Sequence, residues 1–110
     1  MAARKFYARV VRVVDGDSVY LECDTGFHNT HTDNFRLLGI DAPERDPASR
    51  QALAEMLATY ANGWFEVTVH KADKYGRWLV EIPMHDGSDK TINEHMVEEG
   101  FAQSYDGGVR

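Results

Sequence analysis

Two runs of β-forming residues, 5–14 and 18–23, are separated only by Asp15-Gly16-Asp17. The first run alternates and is rich in Val, Phe and Tyr, the period-two signature of a half-buried strand. Asp-Gly is a strong short-range hairpin signal. The chain is thereby committed to antiparallel sheet near its start, and later strands must be organised around that hairpin.

The second strand ends at a polar stretch, Asp24 to Asn34, whose Gly26, Asn29 and Asn34 predict a long hairpin loop. Residues 35–40 predict a third strand in which Leu37, Leu38 and Ile40 are buried. Asp46-Pro47 then supplies an N-cap followed by proline at the first helical position. Leu53, Met56, Leu57 and Tyr60 recur at helical spacing, and Asn62-Gly63 supplies the stop. Residues 64–71 predict a fourth strand, Asp73-Lys74-Tyr75-Gly76-Arg77 a turn, and residues 78–83 a fifth strand. Thr91 with Glu94 forms a capping box for a short helix carrying Ile92, Met96 and Val97, closed by Gly100. The order of three strands, a helix, two strands and a helix predicts an α+β fold that is mainly β. It is a five-stranded Greek-key barrel of the oligonucleotide/oligosaccharide-binding (OB) kind, with a helix between strands three and four and a short C-terminal helix. At 110 residues, 1–110 is expected to be one domain.

Composition narrows the function classes. No apolar stretch approaches the roughly 20 residues that span a bilayer, so no membrane partner is expected. The basic start, Met1-Ala2-Ala3-Arg4-Lys5, lacks an apolar segment behind it, because Arg9 and Arg12 interrupt Val10, Val11, Val13 and Val14. No secretory leader is predicted, and a cytoplasmic location is the default expectation. The single Cys23 excludes an internal disulfide and reads as a small core residue of a strand. A net charge of −6 is awkward for a protein that handles nucleic acid, because non-specific affinity comes mainly from Lys and Arg on phosphates. Any phosphate affinity must be local, and part of the acidity can be metal ligands whose charge a bound cation offsets.

Three groups of residues carry possible chemistry. Asp17 and Asp41 stand at one end of a hairpin pair with Glu44 close behind, and their carboxylate oxygens suit hard cations such as Ca²⁺ and Mg²⁺. The bland alternative is that Asp15 and Asp17 only make a turn while Asp41 caps a strand before Pro43. Arg36 and Arg77 offer guanidinium groups, which bind phosphate bidentately at any useful pH. A lone arginine more often pairs with a nearby acid, but one entering an apolar strand must end somewhere polar. Lys74 and Tyr75 stand side by side in a turn, suited to grip a phosphate or stack on a base, or simply to be an ordinary polar turn. His28 and His31 share the polar stretch and could hold a transition metal, but no Cys or further His stands near them in sequence, so they read as solvated residues.

These motifs, in order, resemble the staphylococcal nuclease (thermonuclease) family. The matching segments are Val13-Val14-Asp15-Gly16-Asp17-Ser18-Val19, then Phe35-Arg36-Leu37-Leu38-Gly39-Ile40-Asp41-Ala42-Pro43-Glu44. They continue with Asp73-Lys74-Tyr75-Gly76-Arg77 and with the stretch from Ile92 to Ala102. The resemblance implies a Ca²⁺-dependent phosphodiesterase that cleaves single-stranded or unpaired DNA or RNA. It implies that Asp17 and Asp41 are metal carboxylates and that Ala42 lends a backbone carbonyl. Glu44 would orient or deprotonate the attacking water, and Arg36 and Arg77 would clamp the scissile phosphate. Lys74 and Tyr75 would contact a nucleotide phosphate, with Tyr105 near the position of an aromatic that packs over the nucleotide. The 5′ oxygen would leave, placing a 3′-phosphate on the product.

The chain departs from the family pattern in four ways. The connection between strands two and three is longer, and the segment from Glu44 to the first helix is shorter and lacks a basic loop. The region after Ala102 is too brief for the family's third helix, and the balance is acidic where the type enzyme is basic. Two other functions therefore stand beside the nuclease: a non-catalytic nucleic-acid- or protein-binding barrel, and a calcium-stabilised structural domain.

Overall fold

A computed structural model describes residues 3–72 and 74–105 of the chain. Its elements are β1 (Arg4–Asp15), β2 (Ser18–Gly26), β3 (Asn29–Leu37), β4 (Ile40–Asp41), α1 (Pro47–Tyr60), β5 (Phe65–Ala72), β6 (Trp78–Glu81), α2 (Ile92–Glu98) and β7 (Gln103–Ser104). Five strands close into a barrel in the order β1-β2-β3-β6-β5, with β3 and β6 parallel and the other neighbours antiparallel. Closure leaves no unpaired edge along the barrel, which is how small β domains avoid exposing backbone donors. With α1 between β3 and β5, this is the expected OB-type barrel.

The core follows the alternation. Val19, Leu21, Leu37, Val67 and Val80 point into the barrel, and Leu53, Ile82, Ile92 and Met96 join them from the helices and the β6 exit, all with no exposed surface. Each such aliphatic side chain contributes about 1.5–3 kcal/mol relative to an exposed one. Cys23 is part of this cluster, and burial pushes its thiol up to about 11, so it stays protonated and inert.

Both helix starts have the expected chemistry. Asp46 caps α1 by accepting from Ser49 N, and Thr91 with Glu94 makes both bonds of a capping box on α2. Each cap satisfies donors that the first helical turn leaves unpaired, worth about 1 kcal/mol apiece.

Two expectations are corrected. Residues 24–34 are not a loop: β2 runs to Gly26, β3 starts at Asn29, and the turn consists of Phe27 and His28, with φ of 55° and 62°. Two successive positive φ values are the backbone of a tight type I′ hairpin. The hairpin projects with Asp24 to Thr32 exposed, so no face is buried and no apolar alternation is written into it. The third strand is also not continuous to residue 40. It breaks at Leu38–Gly39, where Gly39 adopts φ of 83°, and Ile40–Asp41 leaves the barrel to pair with β7. Positive φ is cheap only for glycine, so Gly39 allows the chain to change sheets there.

Candidate active site

The Asp15-Gly16-Asp17 turn is the foundation of the site. Its two carboxylates reach the same distant segment. Asp17 Oδ2 accepts from Ala42 N at 3.0 Å, and Asp15 Oδ1 accepts from Arg45 N at 3.1 Å. Pro43 and Glu44 are thus held at both ends by one turn. Between the two acids, Gly16 leaves no room for a side chain: a Cβ there would stand 2.6 Å from Ser49 Cβ and 2.9 Å from Ala42 Cβ. Glycine is required by this close approach, since φ at Gly16 is unremarkable. Ser49 is itself fixed, its hydroxyl shared between Asp46 Oδ2 at 2.7 Å and the Phe101 carbonyl at 2.9 Å.

Arg36 completes the frame from β3. Its side chain is 12% exposed, and Nη2 lies 3.3 Å from Asp41 Oδ1 and 3.7 Å from Asp17 Oδ2. The Asp17 side chain is 11% exposed and that of Asp41 59% exposed, so the pair has a buried acid and a wet one. The Tyr105 ring centroid lies 5.1 Å from the guanidinium carbon, within cation–π range. Tyr105 reaches that place because its N–H donates to Gly39 O at 2.8 Å, beside the β4–β7 pair. A guanidinium almost removed from water is tolerable only because two carboxylates and an aromatic face surround it.

The backbone that carries Asp41 is anchored from behind by Asn93, a buried residue on α2. Its Nδ2 donates to Leu38 O and Val80 O, both at 2.9 Å, and its Oδ1 accepts from Ile82 N at 3.1 Å. One amide thereby ties α2 to the end of β6 and to the break before β4. Asp15, Gly16, Ser49 and Asn93 are positioning residues that charge patterns do not reveal. The one local signal is Asn93, a polar residue beside Ile92 on the buried side of a short amphipathic helix.

The other predicted residues lie around this frame. Glu44 is exposed on the turn after Pro43, with no hydrogen-bond or ion-pair partner among the described residues. Arg77 directly precedes β6, whose Trp78 pairs with Phe35 and Leu79 with Arg36. Alternation carried back from Leu79 places Arg77 on the face that holds Arg36. Lys74, Tyr75 and Arg77 form a cluster: the exposed Tyr75 ring has Lys74 Nζ at 5.3 Å and Arg77 Cζ at 5.7 Å. Asp73 lies outside the described residues. The structure therefore joins Asp17, Arg36, Asp41, Ala42 and Tyr105 by direct contacts, and brings Lys74, Tyr75 and Arg77 together at the turn before β6.

The donor set that faces outward is all oxygen, as a hard cation prefers. No group of three or more His, Cys, Asp or Glu residues forms a ready cage among the described residues. Asp17 and Asp41 nevertheless converge on one nitrogen of Arg36, so the point between them already favours positive charge. A cation held there would complete its shell with carbonyl and water oxygens, which the exposure of Asp41 allows.

A closed OB-type barrel carrying a rim of paired arginine and carboxylates defines the class of protein. Residues 34–109 match the family model for staphylococcal nuclease homologues, and the chain belongs to that family. An uncharacterized endonuclease of Escherichia coli O157:H7 is 32% identical over 91% of the chain and 61% of its own length. An uncharacterized protein of Methanocaldococcus jannaschii is 30% identical over 91% of the chain and 59% of its own length. The thermonuclease of Staphylococcus hyicus is 26% identical over 87% of the chain and 57% of its own length. The chain thus spans less than two thirds of each of these relatives.

Proposed function

We propose that this chain is a calcium-dependent nuclease that hydrolyses phosphodiester bonds of single-stranded or unpaired DNA or RNA. The observation that carries the proposal is Arg36 held between Asp17 and Asp41 at the rim of the barrel. Folding alone gives no reason to sink a guanidinium and a carboxylate together at a strand end, because apolar residues of similar volume would be at least as stable there. A phosphate and a cation do give a reason.

In this proposal Asp17, Asp41 and the Ala42 carbonyl would hold Ca²⁺, which when bound supplies charge neutralisation at the phosphate and a more acidic water. Arg36 and Arg77 bind the equatorial oxygens of the scissile phosphate and favour the charge that develops on them in the transition state. Glu44 is exposed and unpaired among the described residues, so its carboxylate is available to take the proton of the attacking water. Lys74 and Tyr75 grip the neighbouring nucleotide. Tyr105 orients Arg36 through its ring, a more specific role than contact with substrate alone. Water attack in line on phosphorus breaks the bond to the 5′ oxygen and leaves a 3′-phosphate.

A second proposal is a non-catalytic nucleic-acid-binding barrel, favoured by the lack of a preformed three-acid cage among the described residues. One experiment separates the two. Single-stranded DNA is incubated at low, stated salt with Ca²⁺ or a chelator, beside Glu44→Gln and Arg36→Ala. Calcium-dependent cleavage that both variants lose is the expected result. Binding without cleavage at high protein concentration would establish the second function instead.

A further inference from the structure

A groove lies away from the rim, between β1 and α1. It is open, about 640 Å³ in volume, and lined by Arg9, Arg12 and Arg50 above an apolar floor that includes Ala54 and Leu57. No carboxylate lines it among the described residues, in a chain whose net charge is −6. Arg9 is neutralised by Glu22 at 2.6 Å and also lies over the half-exposed Trp64 ring at 5.3 Å. Arg12 lies over Tyr20 at 4.7 Å. Neither Arg12 nor Arg50 has a carboxylate partner among the described residues.

A backbone irregularity creates this arrangement. Arg9 and Arg12 are three apart and would face opposite sides of a regular strand. The bulge between Val10 and Arg12 inserts one extra residue, so Arg9 pairs with Glu22 and Arg12 with Tyr20. Glu22 and Tyr20 are two apart and share the outer face, and both arginines therefore do as well. Bulges re-aim side chains in this way beside functional sites. The groove also points toward the rim. Arg12 is three residues before Asp15, about 10 Å along a strand, and Arg50 follows Ser49, which packs on Gly16.

We propose that the β1–α1 groove binds a stretch of single-stranded nucleic acid flanking the scissile phosphate, with Arg12 and Arg50 on backbone phosphates and unpaired bases on the apolar floor and Trp64. Arginines interleaved with aromatic faces are the chemistry that tracks a single strand without reading its sequence. The inference rests on the nuclease proposal for the position of the strand, but not for its binding. It also explains how an acidic chain holds a polyanion: the contact is local and sits apart from the acids of the rim.

The test measures binding in chelator, so that cleavage plays no part. Fluorescent single-stranded oligonucleotides of a dozen nucleotides and of two are titrated against the wild-type chain, Arg12→Ala/Arg50→Ala and Trp64→Ala at several salt concentrations. The wild-type chain is expected to prefer the longer strand. Arg12→Ala/Arg50→Ala is expected to lose affinity for it by roughly tenfold or more, and to flatten the slope of log K against log salt by about 1.4, at about 0.7 per phosphate contact. Trp64→Ala is expected to weaken binding with no change of slope. Calcium-dependent cleavage of the dinucleotide should be unaltered in both variants, and circular dichroism confirms that they fold. Equal affinity for the two lengths, an unchanged slope in the double variant, or no binding by the wild-type chain overturns the groove while leaving the nuclease proposal intact. Loss of binding in the double variant from a wild-type chain that cleaves nothing supports the groove and overturns the nuclease.

Discussion

The two arginines of the proposed clamp are built in opposite ways. Arg36 is 12% exposed and held between a buried carboxylate, a wet carboxylate and the Tyr105 ring. Arg77 stands at the end of an exposed turn beside Tyr75, itself 72% exposed, and Lys74. The first is aimed before any ligand arrives, and the second sits where a nucleotide can reshape its neighbours. Preorganised charge serves the transition state, because it needs no rearrangement at the moment of reaction. An adaptable turn serves capture, because it tolerates different bases and backbones.

This contrast breaks most readily at the arginines themselves. Arg36→Ala and Arg77→Ala are each expected to lower kcat by about 10²–10³-fold, the usual effect of deleting a charge-stabilising donor. Arg36→Ala should also destabilise the fold, by about 2–3 kcal/mol, because it leaves Asp17 without its cation in a nearly water-free place. Thermal unfolding without calcium reads this loss. Equal melting temperatures for the two variants would show that Arg36 is no more embedded than Arg77. Calcium should raise the melting temperature of Arg36→Ala at least as much as that of the wild type, since both carboxylates remain and their resident cation is gone.

A smaller effect is expected behind the rim, at Asn93. Its side chain satisfies the Ile82 N–H and the carbonyls of Leu38 and Val80. Asn93→Ala strands the Ile82 N–H and the Leu38 carbonyl, whereas Val80 O keeps the bond it accepts from Leu38 N at 2.9 Å, at a cost of about 2–3 kcal/mol in urea unfolding. Because Leu38 precedes the break that leads to Asp41, calcium affinity should fall with stability. A loss of stability with calcium affinity unchanged would confine Asn93 to the scaffold and detach it from the site.

How much of the fold and site is legible in the sequence depends on the range of each interaction. Both helices are legible from Asp46-Pro47, Thr91 and Glu94, because a cap is a contact within four residues. The barrel is legible because Val19, Leu21, Leu37, Val67 and Val80 repeat an inward pattern along their strands. Residues 24–34 look like a loop in sequence because a hairpin wet on both sides has no apolar period to display. The two-residue strands β4 and β7 are too short for any period and exist only through each other. At the rim, Asp17, Arg36 and Asp41 stand out as charges bordering an apolar run. Asp15 does not, because its partner lies 30 residues away. Nor does Asn93, whose bond to Leu38 spans 55 residues. Charge is visible in a sequence, whereas the support that aims it is a long-range property.

Asp15 offers the finest test of the contrast, because it belongs to the fixed frame yet serves the exposed Glu44. It accepts from the N–H of Arg45, a residue held at φ of 55°. A non-glycine residue in that region costs about 1 kcal/mol or more and persists only where neighbours enforce it. Asp15→Ala removes the acceptor, so Arg45 should relax and take Glu44 with it. The expected result is about a tenfold loss in kcat with a stability change of about 1 kcal/mol or less, the net worth of a single exposed hydrogen bond. Asp15→Asn keeps an oxygen in the same place and should restore most of the rate, while removing the charge. That pair of variants separates two roles. If Asn fails to rescue, the carboxylate of Asp15 acts through its charge, and it belongs with Asp17 and Asp41 in the electrostatics of the rim. If Asn rescues, Asp15 acts through geometry alone, and the exposed half of the site is aimed by the same turn that builds the buried half.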